Sequence, residues 1–277
     1  MKVPISRALI EQGLAQDARE AAALIMSGRV YINRQRAAAG QLVATDAPLH
    51  VRGFEERYVA KGGYKLEGAL AEFSIDVSGR VCLDAGASTG GFTDCLLKHG
   101  AHTVYAVDVG YGQLMGSLRQ DVRVINMERV NISDERLLSL SPTPSIGTCD
   151  LSYLSLRQGV PHFRDILHSR GDLICLVKPL FETRDMQARR TGILQDAQYA
   201  PLLQALVDDI NQLQGCRVMQ LINSPITGNA ATLEFFMHVA LGKGRPAPDI
   251  SQQIAVSVEK ALALPAYHKG DVPKGGA

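Results

Sequence analysis

The chain has 277 residues, of which 46% are hydrophobic, and a formal net charge of +1. This size and composition are typical of a globular protein with a large core, and they exclude a disordered chain. No stretch approaches the roughly 18 apolar residues of a membrane helix, and the first residues contain no apolar signal core. The five cysteines form no C-x-x-C pair, which is typical of reduced core thiols. We therefore expect a cytoplasmic protein without a membrane span.

The first 65 residues are basic. They carry ten Lys and Arg residues against six Asp and Glu residues, whereas the rest of the chain is mildly acidic. A small basic segment joined to a larger acidic one suggests an appendage that binds a polyanion, most often a nucleic acid. On charge alone, an ordinary solvated surface is equally compatible with this pattern.

Two short helices and a strand are predicted within this basic segment. The first helix starts near Ile5 and stops at Gly13, and the second is capped by Asp17 and ends just before Gly28. A short strand at residues 30–32 follows. The segment therefore has the composition of a small α+β unit.

The order of these elements resembles the RNA-binding module named after ribosomal protein S-four. In that module G-L-A follows the first helix and G-x-V-x-V-N follows the second, and residues 13–15 and 28–33 match these patterns. The resemblance implies an RNA-binding domain over residues 1–55 and a linker over residues 56–61. The implied RNA contacts are the arginines of this segment: Arg7, Arg19, Arg29, Arg34 and Arg36.

From residue 62 onward, apolar runs alternate with helical patterns. A helix opens at Gly62 and presents Leu66 and Phe73 on one face. Seven apolar runs indicate strands, at residues 81–86, 103–110, 122–127, 146–151, 173–178, 217–222 and 233–241. Strands that alternate with helices predict an open α/β sheet over residues 62–245. We expect a helix and a flexible tail over residues 246–277.

The first of these strands ends in a glycine-rich turn, VCLDAGASTGGFTD, at residues 81–94. A strand that leads through such a turn into a helix places backbone N–H groups against a charged or polar ligand. Asp108 closes the next strand, where a carboxylate can accept hydrogen bonds from ribose hydroxyls. The pattern indicates a cofactor that contains a nucleoside.

Three interpretations of this turn compete. A dinucleotide turn, G-x-G-x-x-G, is imperfect because Ser88 occupies the second glycine position. A hydrolase elbow, G-x-S-x-G, would run from Gly86 to Gly90, but no HGGG-type oxyanion sequence precedes it and it would follow the domain's first strand. Of the three interpretations, the sequence fits best a D-x-G-x-x-x-G-G turn that binds S-adenosylmethionine. Its fixed positions are Asp84, Gly86, Gly90 and Gly91.

Four longer segments are similar to the TlyA group of FtsJ-type ribose methyltransferases, some of which carry the label hemolysin. The segments are KGGYKLEGAL, VCLDAGASTGGFTDCLLKHGA, VYAVDVGYGQL and VKPLFE. The resemblance implies a Rossmann-like methyltransferase domain with a seven-stranded, mostly parallel sheet and S-adenosylmethionine as cofactor. It also implies methyl transfer to ribose 2′-hydroxyl groups of ribosomal RNA, with the RNA or a ribosomal subunit as partner. The seven histidines show no spacing typical of metal ligands, so no metal is expected.

FtsJ-type enzymes use a Lys-Asp-Lys-Glu tetrad, which the resemblance places on Lys65, Asp150, Lys178 and Glu234. Lys178 also stands out by itself because it closes the apolar run LICLV, where an ammonium group is costly to bury. Burial beside a second ammonium favours a neutral lysine. Lys178 is therefore the expected base, with the carboxylates orienting the two lysines and Lys65 supplying positive charge.

The implied cofactor contacts cluster at the strand ends. They are Asp84, Gly86, Ala87, Ser88, Thr89, Gly90, Gly91, Phe92, Asp108, Val109, Glu128 and Asp150.

Departures from the family pattern fall on the substrate side. Residues 224–231 read SPITGNAA where the family has S-P-I-K-G-P-K-G-N, so both lysines are missing. Each lost cation is potentially one lost phosphate contact. A second hypothesis is therefore a methyltransferase that acts on a small molecule or biosynthetic intermediate. A third is an RNA-binding or hemolysin-like protein with a vestigial enzyme domain, against which the intact tetrad and turn argue.

Overall fold

A computed structural model describes residues 2–12, 14–15, 17–32, 35–52, 57–152, 154–242 and 246–265. Several positions used above lie outside the described residues: Gly13, Asn33, Arg34, linker residue 56 and the tail HKGDVPKGGA. The chain divides into two compact units, of which the first includes Met1–Arg57 and the second is Tyr58–Ala266.

The first unit contains a two-stranded sheet, a three-stranded sheet and two helices among its described residues. In chain order these are β1 (Lys2–Pro4), α1 (Ile5–Glu11), α2 (Ala18–Met26), β2 (Val30–Ile32), β3 (Gln35–Arg36), β4 (Leu42–Ala44) and β5 (Leu49–Val51). β1 pairs with β4, and β2 lies between β3 and β5; all three pairings are antiparallel. Asp17 caps α2 by accepting the backbone N–H of Glu20. Both predicted helices and the predicted strand are confirmed.

The backbone conformation of Gly28 favours glycine after α2. Its φ of +66° lies in the left-handed region, and a Cβ there would lie 1.6 Å from the guanidinium group of Arg36. Glycine therefore ends the helix without steric strain and leaves room for that arginine.

The second unit is built on a seven-stranded sheet. Its elements in chain order are α3 (Gly62–Phe73), β6 (Val81–Ala85), α4 (Gly91–Lys98), β7 (Thr103–Asp108), α5 (Gly116–Arg119), β8 (Val124–Glu128), β9 (Ile146–Cys149), α6 (Leu156–Ile166), β10 (Gly171–Val177), α7 (Pro179–Glu182), α8 (Met186–Thr191), α9 (Asp196–Gln212), β11 (Cys216–Asn223), β12 (Phe235–Leu241) and α10 (Ser251–Leu262). The strand order is β11-β12-β10-β9-β6-β7-β8. β12 runs antiparallel to both of its neighbours, and the other pairs are parallel. The seven predicted strands and the Rossmann-like sheet are confirmed.

Helices cover both faces of this sheet. Because successive strand residues point to opposite faces, alternate side chains enter two separate layers. Leu83 lies on the face that packs against α6, α9 and α10. On the other face, Phe236 packs against Phe92 of α4, with ring centroids 6.0 Å apart, and His238 packs against Phe73 of α3, with ring centroids 5.6 Å apart. All five cysteines are free and buried, as expected of reduced core thiols.

The path of the chain through the sheet places a ligand site. From β6 the chain proceeds to β7 and β8 on one side, and then crosses to β9 and β10 on the other side. In open α/β sheets, ligands bind outside the carboxyl ends of the strands at such a switch point. We therefore expect a ligand site at the carboxyl ends of β6 and β9.

Within the described ranges, no helix is long and apolar enough to cross a membrane.

Candidate active site

A cavity of about 890 Å³ opens where β6, β7, β9 and β10 end. Its volume falls within the roughly 300–1,000 Å³ of small-molecule and cofactor sites. The wall includes most of the side chains predicted from the sequence: Lys65, Gly86, Ala87, Ser88, Thr89, Gly91, Phe92, Asp108, Val109, Asp150 and Lys178. Four predicted residues are not part of this wall: Asp84, Gly90, Glu128 and Glu234.

The glycine-rich turn after β6 passes directly against the chain that leaves β9. Gly86 has a φ of +82°, and a Cβ there would lie 2.3 Å from the carbonyl oxygen of Asp150. The backbone N–H of Gly86 donates to the oxygen of Val107 at 2.9 Å, and that of Asp150 donates to the oxygen of Ala85 at 3.0 Å. The turn is thus tied to the ends of β7 and β9, and only glycine fits at residue 86.

Close backbone approach also positions Lys65. A Cβ at Gly91, the first residue of α4, would lie 3.1 Å from the Cα of Gly62 and 3.1 Å from the nitrogen of Gly63. The first turns of α3 and α4 therefore touch through glycines. Lys65 lies one turn into α3 and lines the cavity.

Asp108 holds the turn and also faces the cavity. Its Oδ2 accepts the backbone N–H of Ser88 at 2.8 Å, and its Oδ1 accepts that of Gly110 at 2.7 Å. A carboxylate has about four lone-pair positions, so both oxygens retain acceptor capacity. Asp108 is thereby suited to accept hydrogen bonds from the ribose hydroxyls of a nucleoside.

Asp84 lies beneath the turn and is fully buried. Its two oxygens accept the hydroxyl groups of Thr93 at 2.6 Å and Thr148 at 2.9 Å. Burial raises the pKa of Asp84 to about 6, although the two threonine hydroxyls act in the opposite direction. The structure places Asp84 beneath the turn and outside the cavity wall, and direct contact with the cofactor stays a prediction. The residue supports the turn from below.

Titration of Asp84 is expected to make folding depend on pH. The pKa of about 6 in the folded state exceeds the ordinary value of 3.8, so between these values the folded protein binds more protons than the unfolded chain. Its free energy of unfolding should fall by up to roughly 3 kcal/mol as pH rises through this window. Urea denaturation from pH 4.5 to 7.5 should show a larger fall in the wild type than in Asp84→Asn, in which the buried Glu182, whose pKa is also raised by burial, still titrates. If the exposed-site control Asp76→Asn reduces the fall equally, Asp84 is not its source.

Glu128 and Gly90 do not line the cavity, but each lies next to residues that do. Glu128 pairs with Arg119. Burial acts to raise the pKa of Glu128, but the backbone N–H of Gly112 and the Arg119 charge, with weaker hydrogen bonds, bring it below its ordinary value. Strand register places Glu128 beside Asp108, but its carboxylate is paired with Arg119, and contact between Glu128 and the cofactor stays a prediction. Gly90 is the N-cap residue of α4 and has a φ of +99°.

The predicted tetrad forms two separate ion pairs. In the first, Lys178 Nζ lies 2.5 Å from Asp150 Oδ1 and 3.1 Å from the hydroxyl oxygen of Ser152. Asp150 Oδ1 is buried and accepts no well-aligned hydrogen bond from the described residues, so its contact with the ammonium is mainly electrostatic. The Lys178 side chain is 20% exposed. Its amine therefore reaches the cavity while Asp150 holds it in place.

The second pair, Lys65 with Glu234, is more deeply buried, with side-chain exposures of 5% and 7%. Glu234 directly precedes β12. Because β12 is antiparallel to its neighbours, its first residue lies at the edge where the parallel strands end. Lys178 was expected to be the costly buried lysine, but Lys65 occupies that position and Lys178 is partly exposed.

A third lysine in the wall, Lys61, was not predicted. Its Nζ donates to Asn229 Oδ1 at 2.7 Å. Burial and then the Lys65 ammonium lower the pKa of Lys61, which also interacts electrostatically with the three other tetrad residues. The spacing in KGGYK provided a signal, since residues four apart lie on one helix face. His162 and Asn131 also line the cavity, but no sequence pattern marks them.

Four of the five arginines predicted to bind RNA are described by the structure, and all four lie on the surface of the first unit. Arg7 pairs with Glu11 at 2.6 Å, and Arg29 Nε donates to the oxygen of Arg52 at 2.7 Å. Arg19 and Arg36 are exposed. Arg34 lies outside the described residues. RNA binding by these residues stays a prediction.

Comparison with known proteins identifies the family. Residues 58–241 match the family described as FtsJ-like methyltransferase. The chain belongs to the FtsJ-like methyltransferase family. Membership in this family makes S-adenosylmethionine the methyl donor. The glycine-rich turn and the carboxylate of Asp108 fit the nucleoside part of that cofactor.

Relatives of this methyltransferase match it over most of their length. A Bacillus subtilis protein provisionally named rRNA methyltransferase YqxC is 39% identical over 271 residues, which cover 96% of each chain. The 16S/23S rRNA (cytidine-2′-O)-methyltransferase TlyA of Mycobacterium tuberculosis is 38% identical over 231 residues, covering 83% of this chain and 86% of that protein. A solved Streptococcus thermophilus structure, provisionally described as a hemolysin, has 34% identity and a TM-score of 0.69, covering 94% of this chain and 96% of that one.

Proposed function

We propose that this methyltransferase acts on a ribose 2′-hydroxyl group of ribosomal RNA. The observation that carries the proposal is the Lys178–Asp150 ion pair, which lies in the same cavity as the nucleoside-binding features and Lys65. The M. tuberculosis relative, which is named for this reaction on cytidine, supports the acceptor class.

The chemistry requires an aligned and deprotonated acceptor. S-adenosylmethionine supplies an activated methyl carbon. A ribose hydroxyl is a poor nucleophile, so the protein must hold it in line with that carbon and remove its proton. An amine at the cavity wall is suited to this task because it can accept a proton when neutral.

The two ion pairs have different roles in this reaction. Lys178 reacts as the neutral amine, after its ammonium proton has passed to solvent; its Nζ then accepts the hydroxyl proton, while Asp150 and Ser152 fix the position of that amine. The Lys65 ammonium, held by Glu234, places positive charge beneath the developing alkoxide. Lys61 adds positive charge from the same wall.

Methyl transfer to three acceptor pools tests the proposal. Purified protein with labelled S-adenosylmethionine is incubated with ribosomal subunits, free ribosomal RNA or a metabolite extract. We expect label in RNA at positions that resist alkaline cleavage, because a methylated 2′-oxygen cannot attack the adjacent phosphate. Label only in the metabolite pool would favour a small-molecule acceptor. Asn229 supports that alternative. Its neutral amide lines the cavity, and it belongs to residues 224–231, where both lysines of the family pattern are missing.

The first unit is proposed to guide RNA to the site through Arg7, Arg19, Arg29 and Arg36. Deleting residues 1–57 should weaken RNA binding and lower the slope of log Kd against log salt by about 0.7 for each lost contact with single-stranded RNA. Affinity for S-adenosylmethionine should be unchanged, because every residue of the cofactor cavity lies in the second unit. Filter binding at several salt concentrations measures the slope. An unchanged slope would contradict the RNA-binding role.

A further inference from the structure

A second groove of about 600 Å³ lies next to the active site. Its wall includes Arg157, Gln158, Phe181, Arg184 and Arg189. Phe181 connects it to the catalytic cavity, because the Phe181 ring centroid is 6.0 Å from Lys178 Nζ. The Phe181 end of the groove therefore lies close to the amine of Lys178.

Arg189 presents a fixed positive charge to this groove. Its Nε donates to the backbone oxygen of Thr183 at 2.8 Å, and its Nη2 donates to that of Phe181 at 3.3 Å. Within the part of the chain that the structure describes, no carboxylate forms an ion pair with Arg189. A guanidinium has five N–H donors, so several remain for a ligand. Its position is set by these two hydrogen bonds, and no carboxylate among the described residues neutralises its charge.

Arg184 adds a second, exposed charge. Its side chain is 85% exposed, and its contact with Asp209 is long, at 3.7 Å. Asp185 lies beside it, but its carboxylate caps α8 by accepting the backbone N–H groups of Gln187 and Ala188.

Arg157, in contrast, is neutralised within the groove. Its guanidinium lies 2.9 Å from Glu182 Oε2 and 2.5 Å from Asp209 Oδ2. Glu182 is buried and also accepts the Ser155 hydroxyl at 2.6 Å and the Leu156 N–H at 2.7 Å. This network forms the base of the groove. The three arginines exceed the carboxylates of Glu182 and Asp209 by one positive charge, and the guanidinium that has no carboxylate partner among the described residues is that of Arg189.

We propose that this groove binds the phosphate backbone of the single-stranded RNA segment next to the methylated nucleotide. Arg189 and Arg184 contact successive phosphates, and Phe181 forms the wall along which the strand passes from the groove to Lys178. Arginine forks beside an aromatic ring are a common arrangement for single-stranded RNA. The proposal rests on the proposed function, because it presumes an RNA acceptor.

Neutral substitutions at the two arginines test the groove. Arg184→Gln/Arg189→Gln should raise both Kd and KM for ribosomal RNA by about tenfold or more and lower the salt slope by about 0.7 for each phosphate contact removed. Arg190→Gln is the matched control, because Arg190 is the next exposed residue of α8 and does not line the groove. Affinity for S-adenosylmethionine should match the wild type in all variants. The melting temperature of the double variant should fall by only a few degrees, because Arg189→Gln removes the hydrogen bonds to the backbone oxygens of Thr183 and Phe181.

The outcomes separate the groove from the function. Wild-type RNA methylation with an unchanged Kd and salt slope in the double variant overturns the groove. An equal loss of RNA affinity in Arg190→Gln also overturns the groove, because the effect would then come from the general charge of α8. Unfolding of the double variant at the assay temperature overturns it as well, because the loss of affinity would then come from folding. If the wild type neither binds nor methylates RNA, the proposed function itself fails. A neutral methylphosphonate next to the methylated nucleotide should weaken wild-type binding and leave the double variant unaffected.

Discussion

Lys178→Ala is expected to lower kcat for methyl transfer by about 10²- to 10⁴-fold, the usual contribution of a positioned acid or base. The substitution removes the amine that lies beside Asp150 and Ser152. The glycine-rich turn and Asp108 are untouched, so affinity for S-adenosylmethionine should stay within about twofold of the wild type. Single-turnover transfer to ribosomal RNA and calorimetric titration of the cofactor measure the two quantities.

Lys178→Arg distinguishes a base from a simple positive charge. A guanidinium preserves the charge and can pair with Asp150, but it stays protonated and cannot accept a proton. We expect this variant to be as inactive as Lys178→Ala. The control is Lys260→Ala, because Lys260 lies in the last turn of α10, away from the cavity wall. Substantial activity in Lys178→Arg would assign Lys178 an electrostatic role and leave the base unidentified.

The corresponding change at Lys65 needs a paired design. Lys65→Ala leaves the Glu234 carboxylate buried without its cation, and removal of one partner of a buried pair costs about 3–5 kcal/mol. Loss of activity would then mix catalysis with folding. Lys65→Met combined with Glu234→Gln removes both charges together. A folded double variant without activity would show that the pair acts in the reaction.

Gly86→Ala is expected to disrupt both folding and cofactor binding. The new Cβ would lie 2.3 Å from the carbonyl oxygen of Asp150, so two backbone segments must move apart. We expect a loss of about 3 kcal/mol in the free energy of unfolding, from the clash together with the positive φ. Affinity for S-adenosylmethionine should fall roughly 100-fold, since about 3 kcal/mol of site distortion corresponds to that ratio.

Gly79→Ala is the matched control for this change. Gly79 has a φ of +67°, similar to the +82° of Gly86, but a Cβ there would meet nothing within 4 Å. It should lose only the roughly 1–2 kcal/mol that an alanine pays for left-handed backbone. Thermal unfolding and calorimetric cofactor titration apply to both variants. Similar behaviour of the two would show that backbone strain, and not the contact with Asp150, makes residue 86 sensitive.

The sheet could be predicted from the sequence because each strand is a short apolar run between helical patterns. The turn and Asp108 could also be predicted, because a cofactor site at strand ends is built from residues that follow one another closely in the sequence. The depth at which each side chain is buried could not be predicted from the sequence. Asp84 and Asp108 both follow the rule for strand ends, yet Asp84 is fully buried under two threonine hydroxyls and Asp108 lines the cavity.

Long-range pairing explains the other differences. LICLVK suggested a buried Lys178, but the deeper lysine is Lys65, because Glu234 lies beside it from a strand 169 positions away. No local pattern contains that partnership. Lys61 was missed although its spacing from Lys65 was visible, because only a folded cavity shows that both side chains face the same space.

The Lys65–Glu234 contact also determines when the active site is complete during synthesis. It joins the first helix of the catalytic unit to its last strand. A growing chain that has not reached residue 234 already contains the glycine-rich turn, Asp108 and Lys178, but its Lys65 has no carboxylate partner at this position. Burial of that ammonium alone is costly. The catalytic end of the sheet can therefore reach its final form only after β12 has emerged and inserted between β10 and β11.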